Sequence, residues 1–331
     1  MSEARLTTAE RPAEMRAGHS YRGFVLRAGL SVAIILFLLW RYDARSIFGI
    51  LGRENPGYFL ATVALFIAGH VIAAYRWQLL AAMVGIRGSF MEFVAIYFIG
   101  FFTNLFVPGL IAGDAARVVY LGRRHGRMAG ALASIAANRA YGLLGLFWFA
   151  AAMVYFFNGG GLPASVTRPI LWLGGLSLGM HLASPWLATL IPATPRPIRR
   201  AIELIAPYLG HPVKIIPPLA LSIALQASRS VSQWLLALGL GLHVAARPFL
   251  LVVPIASVFA SLPVSLAGLG VREAVYLVLF EMVGVDRKDA VALGLLYFAV
   301  TMLAGLTGAL AFVTTDLPAR RSAPKNGSGV V

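Results

Sequence analysis

The sequence predicts an all-α integral membrane protein with about six full transmembrane helices plus two re-entrant or broken helices, arranged as an inverted repeat. Three observations lead there. Hydrophobic residues make up 59% of the chain and charged residues 12%, half the share of roughly 25% that soluble domains carry. Apolar stretches close to the ~20 residues needed to span a bilayer recur along the whole chain. A ten-residue pattern occurs twice: Pro108, Ala112, Gly113 and Arg117 spell P-x3-A-G-x3-R, and Pro263, Ala267, Gly268 and Arg272 spell it again (263 − 108 = 155 residues later).

Residues 1–23 are too polar for a signal peptide. They carry Arg5, Arg11, Arg16 and Arg22, which predicts a cytoplasmic tail. Full spans are expected at 24–40, 58–84, 129–157, 168–190, 215–242 and 289–313. The stretches 90–112 and 249–267 differ, because each ends in proline and glycine rather than in a charged anchor. Asn104, Pro108 and Gly109 close the first; Pro254, Ser261 and Pro263 lie in the second. Irregular backbone at membrane depth survives only where protein or a water-filled cavity satisfies it, so both are candidate re-entrant helices.

Charge counting orients the spans. Arg117, Arg123, Arg124 and Arg127, then Arg196, Arg199, Arg200 and Lys214, then Arg320, Arg321 and Lys325 mark three further basic segments. All of them are cytoplasmic only if 90–112 enters and leaves on the cytoplasmic side and 249–267 on the opposite side. Three crossings separate the motif copies, and an odd number inverts the second. Arg41, Arg45 and Arg53 run against this count and are partly offset by Asp43 and Glu54. Trp77 and Trp234, each followed closely by a leucine pair, extend the similarity. One transmembrane domain (24–313) thus holds repeat one at 58–157 and repeat two at 215–313, with a cytoplasmic tail at 314–331. The net charge of +15 would suggest nucleic acid in a soluble protein; here it is topological and attracts anionic lipid.

Apolar helices broken at matching places in two halves point to a transporter's substrate site. Arg117 and Arg272 each follow a broken helix, where free N–H groups and a guanidinium together suit an anion; the bland alternative is an interfacial anchor. Asp114 and Glu273 could neutralise them, carry a proton or, for Asp114, act as an N-cap. Arg139, beside Asn138, and Arg229, among Gln226, Ser228, Ser230, Ser232 and Gln233, lie inside spans, where ionisable groups mark function by default. Arg76, also an in-span charge, could snorkel to the interface and is the least persuasive of the three. The candidate substrate-binding set is Asn104, Pro108, Gly113, Asp114, Arg117, Arg139, Arg229, Pro263, Gly268, Gly270, Arg272 and Glu273.

Other chemistries lack their parts. Six histidines show no metal-ligand spacing, Ser257, Ser261 and Ser265 have no neighbouring histidine and acid, and no phosphate-binding ATPase loop occurs. With no cysteine there is no thiol metal site. No catalytic residue, metal or cofactor is expected, and the chain is not expected to be an enzyme.

Asn104-Leu-Phe-Val-Pro108 through Gly113-Asp114-Ala-Ala-Arg117, then Asn138-Arg139, then Pro263 through Gly268-Leu-Gly270-Val-Arg272-Glu273 resemble the flippase-like family. That family includes the membrane part of lysylphosphatidylglycerol synthase, the multiple peptide resistance factor. The resemblance covers about 24–313 and implies a multi-span domain with two re-entrant segments that moves lipid between leaflets. Ala112-Gly113-Asp114 departs from the expected Gly-Gly-Asp, and the soluble aminoacyl-transferase domain is absent, so lipid lysylation does not carry over. Stand-alone members also resemble a protein associated with hopanoid biosynthesis. The expected function is a bacterial inner-membrane lipid translocase for an anionic or polyisoprenoid-derived lipid. A small organic-anion transporter and a membrane partner of lipid-biosynthesis enzymes are the alternatives. Membrane lipids with an anionic head group are the expected partners, nucleic acid is not, and both termini are expected to be cytoplasmic.

Overall fold

The computed structural model describes residues 49, 51–106, 112–189, 206–209, 212–260 and 271–314. The expected span 24–40, both tails, Pro108, Pro263, Gly268 and Gly270 lie outside these residues. The described elements are helical: α1 (Pro56–Met83), α2 (Phe90–Phe106), α3 (Ala112–His125), α4 (Met128–Phe156), α5 (Ala164–Thr189), α6 (Pro212–Gly239), α7 (Arg247–Ala260), α8 (Val271–Met282) and α9 (Arg287–Thr314), with a single turn at Ala206–Leu209.

Local chemistry sets the helix ends. Asn55 caps α1 by accepting from the Gly57 amide at 2.8 Å, and Pro56 occupies the first helical position, where its missing N–H costs nothing. At the other end Ile86 donates to the Ala81 carbonyl and Gly85 to Ala82, with Gly85 at φ 76°. That positive φ makes glycine the natural closing residue. The same closure recurs at the end of α6, where Leu242 donates to Ala237 and Gly241 (φ 78°) to Leu238. A second pair repeats in the same way: Arg127 donates to Gly122 after α3, and Val285 to Phe280 after α8, around Gly126 and Gly284. Similar backbone closures thus occur at the ends of α1 and α6 and at the ends of α3 and α8.

The packing is paired too. α1 lies against α2 as α6 lies against α7; α2 pairs with α3 as α7 with α8; α3 meets α4 as α8 meets α9. Across the halves α2 packs on α9 and α7 on α4, while α1 and α6 form the most extensive contact of all. Among the described residues α5 has no counterpart; it packs on α4.

Small residues permit these approaches. A Cβ at Gly145 of α4 would press on Ser222 of α6, and one at Gly308 of α9 would meet the Phe98 carbonyl of α2. Between apolar helices in lipid, packing and hydrogen bonds replace the hydrophobic drive, so such contacts decide which helices associate.

Among the described residues, three helices are long and apolar enough to cross a membrane: 56–83, 128–156 and 287–311. α5 and α6 have the length, at 26 and 28 residues, but not the apolarity. In α6 the reason is visible, because Ser222, Gln226, Ser230 and Gln233 are polar yet buried among neighbours. The described parts of the stretches 90–112 and 249–267 are α2 with the first residue of α3, and α7. α2 and α7, at 17 and 14 residues, reach about 26 and 21 Å, short of the ~30 Å hydrocarbon core.

Glu54 precedes α1, and a Cβ at Gly239, in the last residue of α6, would clash with its carboxylate, whose two oxygens are buried without a partner. Burial pushes that carboxyl up from 4.5 to about 7. The folded protein therefore holds a proton that the unfolded chain releases between about pH 4.5 and 7, and stability should fall as pH rises through that window. Glu54→Gln should flatten this part of a melting-temperature profile taken in detergent; an unchanged slope would place the titration elsewhere.

Candidate functional site

The break between α2 and α3 is closed by side chain and backbone together. The Asn104 carboxamide oxygen accepts from the Gly113 amide at 2.8 Å, satisfying a donor of α3's first turn that the helix cannot satisfy itself. Gly113 and Gly100 face each other so closely that a Cβ on either would collide with the other's carbonyl oxygen. This contact brings α3's first turn, and Asp114 with it, against α2.

Asp114 is buried and holds two arginines. Its Oδ1 lies 3.3 Å from Arg117 Nη1, and its Oδ2 receives Arg139 Nε from α4. Arg117 also donates to the Tyr97 carbonyl at 3.1 Å and lies 3.9 Å above the Tyr97 ring. The Arg117 and Asp114 side chains are each 8% exposed, whereas that of Arg139 is 53% exposed. One carboxylate thus fixes a covered guanidinium and an accessible one. Asp114 sits in the first turn of α3 with its carboxylate on arginines, so the N-cap reading is corrected.

Arg229 occupies an unusual place on α6. The residues one and two turns away on the same face, Ser222, Leu225, Gln226, Ser232, Gln233 and Leu236, are all buried, yet Arg229 is exposed. A long side chain on an inward face that remains accessible lines an internal opening. That opening is shared by His70, Tyr97, Ser228 and Ser232. His70 donates from Nδ1 to the Phe66 carbonyl at 2.9 Å; the Phe101 ring lies 4.3 Å and the Tyr97 ring 6.0 Å away. Tyr97 therefore joins the Arg229 opening to the Asp114 cluster, and His70 feels both Arg117 and Arg229.

Arg76 does not snorkel. It is 7% exposed and donates from Nε to Asn138 Oδ1 (3.0 Å), from Nη2 to the Asn138 carbonyl (3.2 Å) and from Nη1 to Ser222 Oγ (2.8 Å). It ties α1 to α4 and α6 through neutral partners, the structural use of an arginine whose planar fork serves several acceptors.

Asn104, Gly113, Asp114, Arg117 and Arg139 are thus brought together, and Arg229 joins them through Tyr97. Arg272 and Glu273 lie in the first turn of α8, placed by their backbone alone. Tyr97 and His70 are the members that sequence reasoning missed; an aromatic residue within Ala95-Ile-Tyr97-Phe98 carries no sequence signal of its own.

A family model described as the lysylphosphatidylglycerol synthase transmembrane region matches residues 24–308. The chain is also similar to a UPF0104 membrane protein of Pyrococcus horikoshii, 25% identical over 113 residues, and the match spans about a third of either chain (33% of this one, 34% of the relative). No solved structure matches.

Removing one member of a buried ion pair costs about 3–5 kcal/mol, whereas an exposed partner is worth about 0–1 kcal/mol. Asp114→Ala should therefore destabilise the protein by about 3–5 kcal/mol, well beyond Arg139→Ala, when unfolding is followed by denaturant titration in micelles. Equal losses would show that Arg139, rather than Arg117, is what the carboxylate compensates.

Proposed function

Because the chain belongs to the lysylphosphatidylglycerol synthase transmembrane-region family, we propose that it is a lipid translocase of the bacterial inner membrane, moving a lipid with an anionic head group without catalytic chemistry of its own. The observation that carries this reading is Arg229 exposed on an otherwise buried helix face, beside Tyr97 and the Asp114–Arg117–Arg139 cluster. The exposed Arg229 offers its guanidinium to whatever enters the opening, and phosphate meets a guanidinium with two-pronged hydrogen bonds.

A second feature favours lipid over a small organic anion. A groove of ≈ 570 Å³ runs between α4, α5, α7 and α8, lined by Phe147, Ile170, Leu173, Ile255, Val275 and Leu279 among others. Its wall is almost entirely hydrocarbon, with Ser165 the polar exception, which suits an acyl or isoprenoid chain better than a hydrophilic solute.

The paired caps, the paired packing and the short hairpin arms support two re-entrant hairpins, α2–α3 and α7–α8, entering from opposite faces as an inverted repeat. Both termini are then cytoplasmic. In this cysteine-free chain, single cysteines at Asn104 and Ser261 should both be labelled by small membrane-impermeant reagents, each from one side only and from opposite sides. Labelling from the same side would remove the inversion.

Lysine keeps the charge of arginine and loses its planar fork. Arg139→Lys and Arg272→Lys should insert at wild-type levels and lower lipid translocation in reconstituted vesicles by about tenfold, the worth of one charge-assisted hydrogen bond. Wild-type rates in both would leave these arginines as anchors.

A further inference from the structure

The inward face of α6 carries more polar surface than the arginine cluster uses. Ser222, Gln226, Ser230 and Gln233 form a stripe along it, each 5% exposed or less. Ser222 is occupied, accepting from Arg76 and donating to the Pro218 carbonyl. At the other end the Ser230 hydroxyl and both amide atoms of Gln233 are buried with no hydrogen-bond partner. Native proteins rarely leave buried polar atoms unpaired, and each exception asks for an explanation such as a missing water or ligand.

Position gives that explanation. Gln233 lies one helical turn after Arg229 and Ser230 directly follows it. Side chains four apart stand one above the other, and each leans toward the helix N-terminus, so Gln233 leans back toward the level of Arg229. Chemistry narrows the partner. A phosphate or carboxylate oxygen would use the amide N–H groups and leave the carbonyl oxygen unpaired. An ammonium would do the reverse. A hydroxyl serves both, donating to Oε1 and accepting from Nε2, and Ser230 offers the same dual character.

We propose that Gln233 and Ser230 form a hydroxyl-recognising subsite that selects, among anionic lipids, those whose head group carries free hydroxyls beyond the phosphate held at Arg229. The proposal rests on the head-group reading of Arg229 and adds the head-group class. Both residues are fully buried here, so the subsite belongs to a loaded state in which the helices around α6 part.

Native mass spectrometry of the full chain in detergent, titrated with phosphatidylglycerol and separately with phosphatidic acid, tests it. Wild type should bind the glycerol-bearing lipid about tenfold more tightly, the worth of one well-made hydrogen bond. Gln233→Leu should reduce that lipid to the level of phosphatidic acid while leaving phosphatidic acid unchanged. Its melting temperature should match or exceed wild type, because an unpaired buried amide is replaced by hydrocarbon of similar size. Ser230→Ala, a smaller change, should narrow the preference without erasing it and covers the case in which leucine disturbs folding. Equal wild-type affinities, or a preference intact in both variants, would assign the polar end of the stripe to bound water and overturn the subsite alone. Binding of neither lipid by wild type would overturn the head-group reading and the subsite with it.

Discussion

Positive charge inside a medium that does not screen it is the constraint on which the rest of this structure depends. Arg117 and Arg229 both lie within electrostatic reach of Arg76, and the bundle answers each differently. Arg117 is given a carboxylate and an aromatic face, Arg76 a set of neutral oxygens, and Arg229 an opening. A guanidinium left without any of these would be driven from the bilayer interior, at some 2.5–3.5 kcal/mol on insertion scales. The contacts that join α1, α3, α4 and α6 are largely the ones that prevent this.

The paired contacts and helix closures of α1–α4 and α6–α9 are not matched by paired charges. Shifted by the spacing of the α1 and α6 caps (241 − 85 = 156), Arg76 falls on Ser232 and Arg229 on Ala73. Among the charged residues, Arg117 and Arg272 alone keep their type across the motif. Likewise α5, which has no counterpart among the described residues, closes one side of the apolar groove.

Of the six expected full spans, 58–84, 129–157 and 289–313 coincide with helices long and apolar enough to cross a membrane, because apolar stretches and their length are one-dimensional quantities. The end of α2 within 90–112 agrees with the expected position of a boundary, while Pro108 and Gly109 themselves lie outside the described residues. Arg139 and Arg229 stood out as charges in apolar context. Whether a charge is buried or accessible is not one-dimensional: Arg76 sits near the end of the expected span 58–84 and looked free to reach the interface, but Asn138 and Ser222 meet it from helices far along the chain. Tyr97 was invisible for the same reason, its role arising from the ring that Arg117 happens to cover. The paired helix closures at Gly85 and Gly241 could have been found by aligning the halves on their glycines rather than on the arginine motif.

Arg76 also sets an order of events during biosynthesis. Its first acceptors are on Asn138, 62 residues later, and its last is on Ser222, 146 residues later. At about 5–20 residues per second the ribosome supplies the final partner roughly 7–30 s after Arg76 itself. Until then Asn138 alone can meet the guanidinium, and the contact that completes its set of acceptors forms only once α6 has been made.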